Sequence, residues 1–217
     1  MISVMNQNNL PLVVGILIFD KVELLDVAGP FEVFSVTHLD EKVIRKESLP
    51  SLRPFRVILV AEKLGQVLTI GGLRLSADVP IDNCPDLDLL IIPGGLGTRK
   101  EVKNDILLKW IADMSPKTKI TASVCTGSSL LGKAGLLDGR EATTHSRAFD
   151  FLRQSAPKTK IREDVLFTLT EPIFTSAGVS AGIDMALRIV SHFFGKKVGM
   201  ETARYMEYPY PQNAKRR

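Results

Sequence analysis

Cys125 sits in the stretch with the most chemistry to offer, Ala122-Ser-Val-Cys-Thr-Gly-Ser-Ser-Leu-Leu131. An apolar run stops at one reactive side chain, and small residues then let the chain turn at once into a helix. This is the pattern of a nucleophile elbow, which lifts a side chain out at the carboxyl end of a sheet. A helix N-terminus acts like roughly half a positive charge and favours thiolate over thiol. Its exposed N–H groups can also hold an anion formed during attack. The competing reading is a buried, inert cysteine packed at a strand end.

Three further segments carry candidate groups. Pro93-Gly94-Gly95-Leu96-Gly97 closes a neighbouring apolar run. Its adjacent glycines allow positive φ and close approach of backbone to a ligand, or simply make a tight turn. It is not a phosphate loop, because the Walker lysine spacing is absent. Asp26, beside Gly29-Pro30, stands where another strand gives way to a helix. It reads either as an N-cap or as a carboxyl of raised pKa, poised to move a proton. His145, after Thr143-Thr144, is a base or a satisfied structural histidine. His38, His192 and Cys84 receive no role.

These candidates need a scaffold that gathers strand ends. Leu12 to Phe19, Phe55 to Ala61, Leu87 to Ile92 and Lys119 to Val124 read as core strands. The first is rich in Val and Ile with no polar side chain, as in a parallel sheet buried on both faces. Between them, helical patterns fall at Phe31 to Phe34 (with Pro30 near the first turn), Lys100 to Met114, Ser128 to Ala134 and Arg147 to Gln154. Later come Ser180 to Phe194 and a stretch near Val198 to Tyr205. Val67 to Ile70 and Leu73 to Ser76 form an expected hairpin about Gly71-Gly72. Val165 to Leu169 and Ile173 to Ser176 are short strands across Glu171-Pro172. His38 to Pro54 reads as a long surface loop. The alternation specifies one α/β domain, a mostly parallel sheet with helices on both faces. In such a sheet ligands bind at the carboxyl ends of strands, so Gly94-Gly95 and Cys125 are expected to face one crevice.

Composition narrows the function classes. The 217 residues suit a single domain, expected over 11–208 with tails at 1–10 and 209–217. Lys plus Arg number 28 against 24 Asp plus Glu, and the net charge of +4 is no nucleic-acid footprint without a clustered basic face. The one compact cluster, Lys215-Arg216-Arg217, is expected to be solvated. Two cysteines make a poor disulfide framework and cannot build a zinc site between them, so no metal is expected. With no charged region ahead of an early apolar core and no run of membrane-spanning length, the expectation is a cytoplasmic protein without a membrane partner.

Leu25-Asp26-Val-Ala-Gly-Pro30, Ile91-Ile92-Pro93-Gly94-Gly95, Val124-Cys125-Thr126-Gly127, Ala142-Thr-Thr-His145 and Ala181-Gly182-Ile183-Asp184 occur in this order across residues 12 to 208. Together they resemble the PfpI/ThiJ superfamily of class I glutamine amidotransferase-like domains. The resemblance implies a flavodoxin-like three-layer α/β sandwich, a homodimer, a cysteine on the elbow and an acid contacting it from the first strand–helix junction. The chain is most similar to the isonitrile hydratase branch, in which that acid is Asp in an LD-x-x-GP context, here Asp26, and Thr follows the cysteine, here Thr126. A peptidase-like branch places His after the cysteine, and a true amidotransferase needs a distal His–Glu pair. Neither is present. Ser146 stands where the hydratase branch carries an aromatic.

What the resemblance implies is a cofactor-independent hydratase acting on a small molecule, R–N≡C. Cys125 attacks the carbon, Asp26 moves protons, the Thr126 hydroxyl orients Asp26 or the water, and backbone N–H groups at Gly94, Gly95 and Thr126 stabilise charge, with His145 and Gly178 as pocket residues. The alternatives are a ligand or redox sensor related to the sensory half of AraC-type regulators, or a glyoxalase-like activity on small aldehydes. No recognition helix fits after Glu207, so no nucleic-acid partner is expected.

Overall fold

A computed structural model describes residues 11–39, 53–210 and 215–216. The expected N-terminal tail and most of the loop expected after His38 lie outside the described residues. The first half of the chain runs β1 (Leu12–Leu17), α1 (Leu24–Val36), β2 (Phe55–Ala61), β3 (Gln66–Leu68), β4 (Arg74–Ser76), β5 (Val79–Pro80) and β6 (Leu89–Ile92). Next come α2 (Thr98–Glu101), α3 (Asp105–Met114), β7 (Ile120–Val124), α4 (Gly127–Lys133), β8 (Glu141–Ala142) and α5 (Phe149–Ser155). The last elements are β9 (Lys160–Ile161), β10 (Phe167–Thr170), β11 (Ile173–Ser176), α6 (Ala181–Phe194) and α7 (Lys196–Tyr205).

Seven strands form the central sheet in the order β10-β11-β7-β6-β1-β2-β5. Its pairings are parallel except β10 with β11 at one edge. Every residue of β6 and β7 is buried, which explains their unbroken apolar or small-residue composition. Helices α1, α6 and α7 pack together as one group, and α4 packs with α3 and α5 as another. The sandwich expected from the sequence is the fold observed. From β1 the chain goes first to β2 on one side and later to β6 on the other. The carboxyl ends of β1, β6 and β7 therefore open at the reversal of strand order, the place where such sheets bind ligands.

Local differences from the sequence reading have physical causes. Helix α1 starts at Leu24, seven residues before the expected Phe31, and Pro30 lies inside it. The proline forfeits one helical hydrogen bond, and burial of Val27, Gly29, Val33 and Phe34 offsets the loss. The helix expected over Lys100 to Met114 is two helices, because Asn104 breaks the run and caps the second. Its Oδ1 accepts from Leu107 N at 3.2 Å, while its Nδ2 donates to Glu62 at 2.6 Å and Glu101 at 2.8 Å. Asn104→Ala removes the cap and leaves the two carboxylates facing each other. A loss of about 1–2 kcal/mol is expected, read from the urea midpoint.

Of the C-terminal cluster expected to be solvated, Lys215 is exposed but Arg216 packs back onto the domain. Lys215 bridges to Val165, and Arg216 N donates to Asp164 O at 2.9 Å. The Arg216 guanidinium lies 5.2 Å over the Phe149 ring and donates to Thr144 O at 2.9 Å. A flat guanidinium suits an aromatic face and a carbonyl at once.

Candidate active site

Strand β7 ends at Val124 and α4 begins at Gly127, so Cys125 and Thr126 form the whole turn. Cys125 has φ +56°, a left-handed conformation costing about 1–2 kcal/mol for an L-residue. The surroundings fix it there. Its N–H donates to Ser176 O at 3.1 Å, and its carbonyl accepts from Thr144 Oγ1 at 2.9 Å and Ser128 Oγ at 3.1 Å.

Asp26 reaches the same point from the first turn of α1 and is fully buried. It does not cap that helix. Oδ2 accepts from Gly94 N at 3.0 Å, and Oδ1 accepts from Val179 N at 3.1 Å. Its carboxyl also hydrogen-bonds the Cys125 thiol. Burial pushes the Asp26 carboxyl up to about 7, against the pull of the two backbone N–H groups; the charge of Glu23 adds to the rise.

The thiol moves opposite to the expectation drawn from the elbow. Burial pushes Cys125 up to about 12, and the neighbouring Asp26 charge adds to the shift. Hydrogen bonds from Thr126 backbone and side chain pull down and do not win. A seven-residue helix offers a weak dipole, whereas Cys125 is only 7% exposed. Desolvation decides the sign. At neutral pH the pair therefore rests as a thiol beside a half-protonated carboxyl.

The glycine turn sits where the sequence places it, but its N–H groups are already used. Gly94 N is taken by Asp26, and Gly95 N donates to Thr126 Oγ1 at 3.0 Å. A Cβ on Gly94 would lie 2.8 Å from Cys125 Cβ, so the turn is glycine because it is wedged against the elbow. The expected oxyanion role falls away from Gly94 and Gly95. The Thr126 N–H, which faces the sulfur, is the backbone donor left beside the reacting atom. The Thr126 hydroxyl is likewise engaged by Gly95 and by Thr98 Oγ1 at 3.1 Å, where the sequence reading had it orient Asp26.

His145 and Gly178 do come together. The His145 ring lies over Gly178 so closely that any side chain there would strike Cδ2. His145 Nδ1 accepts from Arg147 N at 3.1 Å. Burial, then the charges of Arg147 and Arg216, push the ring below its ordinary value. A neutral ring with Nδ1 occupied carries its proton on Nε2, so His145 offers a donor and not a base.

A pocket of about 220 Å³ opens over the cysteine, below the roughly 300–1,000 Å³ of drug-sized sites. Ile70, Leu96, Ala148 and Val179 give it apolar walls, and Glu23, Arg99, His145 and Arg147 bring polar groups. A second cavity of about 250 Å³ lies away from Cys125, beyond β2. Sequence reasoning missed Val179, Arg99, Arg147, Glu23 and Ile70. Thr144, which holds the Cys125 carbonyl, lies inside the Thr-Thr-His motif, where no role of its own was legible. Ser146 heads a single 3-10 turn, Ser146–Ala148, and does not line the pocket.

A model of the DJ-1/PfpI family matches residues 13–192. The chain belongs to the DJ-1/PfpI family. Isonitrile hydratase of Pseudomonas putida is 32% identical over 89% of this chain and 75% of its own length. The HTH-type transcriptional regulator GbdR of Pseudomonas aeruginosa is 25% identical over 95% of this chain, which spans only 53% of the regulator. Among solved structures, a ThiJ/PfpI family protein from Pseudomonas syringae superposes with a TM-score of 0.77 at 29% identity, covering 93% of this chain and 77% of that one. This DJ-1/PfpI family chain thus has both an enzyme and regulators among its relatives.

Cys84 is the internal control for the DJ-1/PfpI site. It is half-buried in a turn, and burial followed by the Asp86 charge pushes its thiol up to about 11. Cys84→Ala is expected to leave alkylation of Cys125 by iodoacetamide within about 2-fold of wild type, because the sites share no partners. Peptide mass spectrometry reads both rates.

Proposed function

We propose that the protein is an isonitrile hydratase-like enzyme in which Cys125 and Asp26 add water to R–N≡C. Asp26 takes the Sγ proton as sulfur attacks the terminal carbon, and returns it to that carbon. The product is a thioimidate, R–N=CH–S–Cys125, with no atom lost. Asp26 then removes a proton from water as the oxygen adds to the same carbon, and hands that proton to the nitrogen, giving R–NH–CH(OH)–S–Cys125, whose hydroxyl proton returns to sulfur in the last step. Collapse expels the thiol and releases R–NH–CHO. The step needs a proton donor and acceptor in one group, which is why a carboxyl near 7 matters more than a low thiol pKa.

The observation that carries the reading is the Asp26–Cys125 pair: a buried acid held near neutrality in hydrogen-bond contact with a thiol on a strained turn. The 32% identity to an isonitrile hydratase supports the substrate class. We place the reaction in the cytoplasm, where the free thiols Cys84 and Cys125 stay reduced, and take the working unit as a homodimer, to be read by sedimentation. Incubation with a simple alkyl isonitrile is expected to give many equivalents of formamide per chain; formation of none would remove the hydratase.

One observation favours a second reading. A thiol pushed up to about 12 is slow as a free nucleophile, and the chain matches about half the length of transcriptional regulators. A ligand sensor would bind or be modified once and stop, so the count of turnovers separates the two.

A further inference from the structure

The rim of the cysteine pocket carries more positive than negative charge. Arg99, just inside α2, holds its guanidinium 5.3 Å over the Phe151 ring, so the head is positioned by stacking. Arg147, exposed on the turn after His145, lines the same pocket. Neither guanidinium has a carboxylate partner among the described residues. Among the described residues Glu23 is the one acid lining the pocket, and with the half-ionised Asp26 behind Cys125 the surplus is at most about one positive charge. The Nε2–H of neutral His145 adds a third donor beside them. The same pocket is lined by four apolar side chains, Ala148 and Val179 on its covered side and the solvent-exposed Ile70 and Leu96.

From this arrangement we infer that the site takes a small substrate with a carboxylate at the end opposite its reacting carbon. Arginine is the side chain that grips a carboxylate through two parallel hydrogen bonds. A single surplus charge suits a monoanion better than a phosphate dianion. The small volume limits the spacer to a few carbons, and the apolar walls suit a hydrocarbon one. The inference rests on the proposed use of the Cys125 pocket and names what enters it. Burial is the main cause of the depressed His145 ring, and the charge of Arg147 adds to it.

The test pairs a carboxylate with its neutral isostere. Butanoate and butanamide are titrated into the wild-type protein and into Arg99→Gln, Arg147→Gln and the double variant, with binding followed by ligand NMR at low salt. Thermal unfolding checks that each variant folds. Wild type is expected to bind butanoate at least about 10-fold more tightly than butanamide, with the preference shrinking as salt rises. Each single variant is expected to lose part of the preference and the double variant all of it. Equal binding of the two by wild type, or an undiminished preference in the folded double variant, overturns the proposal. The same preparations are offered 3-isocyanopropanoate and butyl isonitrile. Turnover of the neutral compound with no preference for the acid keeps the hydratase and removes the carboxylate. Preference for butanoate with no isonitrile turned over does the reverse.

Discussion

Cys125→Ala is expected to lower isonitrile turnover by at least about 10⁴-fold, the scale of loss when a nucleophile is removed from a preorganised site. Binding of butanoate should persist, because the rim is untouched. The fold should survive as well: the variant removes one small buried side chain and keeps the backbone bonds to Ser176, Thr144 and Ser128. The strained turn supplies a second readout. At φ +56° alanine is no better suited than cysteine, whereas glycine is. Cys125→Gly should therefore be more stable than Cys125→Ala by about 1 kcal/mol, reversing the usual order of the two residues. If alanine proves the more stable, Cys125 is not held against a conformational cost. Activity retained in either variant would move the chemistry to another residue.

Asp26→Asn is expected to lower turnover by about 10²-fold or more, since amide replaces the group that carries the proton. Its effect on stability depends on pH, and the sign follows from the raised carboxyl. Asp26 titrates near 7 in the folded protein and near its ordinary 3.8 in the unfolded chain. Between these values the folded state binds the extra proton, so wild type loses stability as pH rises from about 4 to 7 and levels off above. The span is on the order of 4 kcal/mol. Asparagine removes that slope but turns an N–H₂ toward Gly94 N or Val179 N, leaving one backbone donor unmet at about 1–3 kcal/mol. The variant should thus be less stable than wild type near pH 5 and comparable near pH 8. Urea midpoints across this range read the crossing. Parallel curves for the two proteins would mean that Asp26 is not held protonated by burial.

The parts of this site that follow from local pattern were legible in the sequence. Leu89–Ile92 and Ile120–Val124 are buried through every residue, and such strands announce themselves as unbroken runs of apolar or small residues. The cysteine between a strand and a run of small residues marked the elbow, and the order of five short motifs marked the family. What the sequence hid depends on distance in space. The direction of the Cys125 shift follows from how deeply the sulfur is covered, which no local pattern records. Gly94 and Gly95 read as open donors because nothing in Pro93-Gly94-Gly95 says that Asp26 and Thr126 will claim their N–H groups. Pro30 read as a helix start because the packing that carries α1 through it comes from α6, some 150 residues later. The pocket rim draws on segments around residues 23, 70, 96, 125, 145 and 179, no two of them adjacent in the chain. Arg216 finds Thr144 and Phe149 by the same long return.

The pairing of Cys125 with Asp26 as nucleophile and proton carrier is tested most directly by peptide mass spectrometry of a rapidly quenched reaction. Asp26→Asn and wild type are mixed with butyl isonitrile, quenched in acid and digested. An adduct equal to the whole isonitrile, with nothing lost, is expected on the peptide bearing Cys125 and not on the peptide bearing Cys84. It should form more slowly in Asp26→Asn than in wild type. Formamide released at the wild-type rate with no mass gained at Cys125 on any timescale, or the same gain on Cys84, would contradict it.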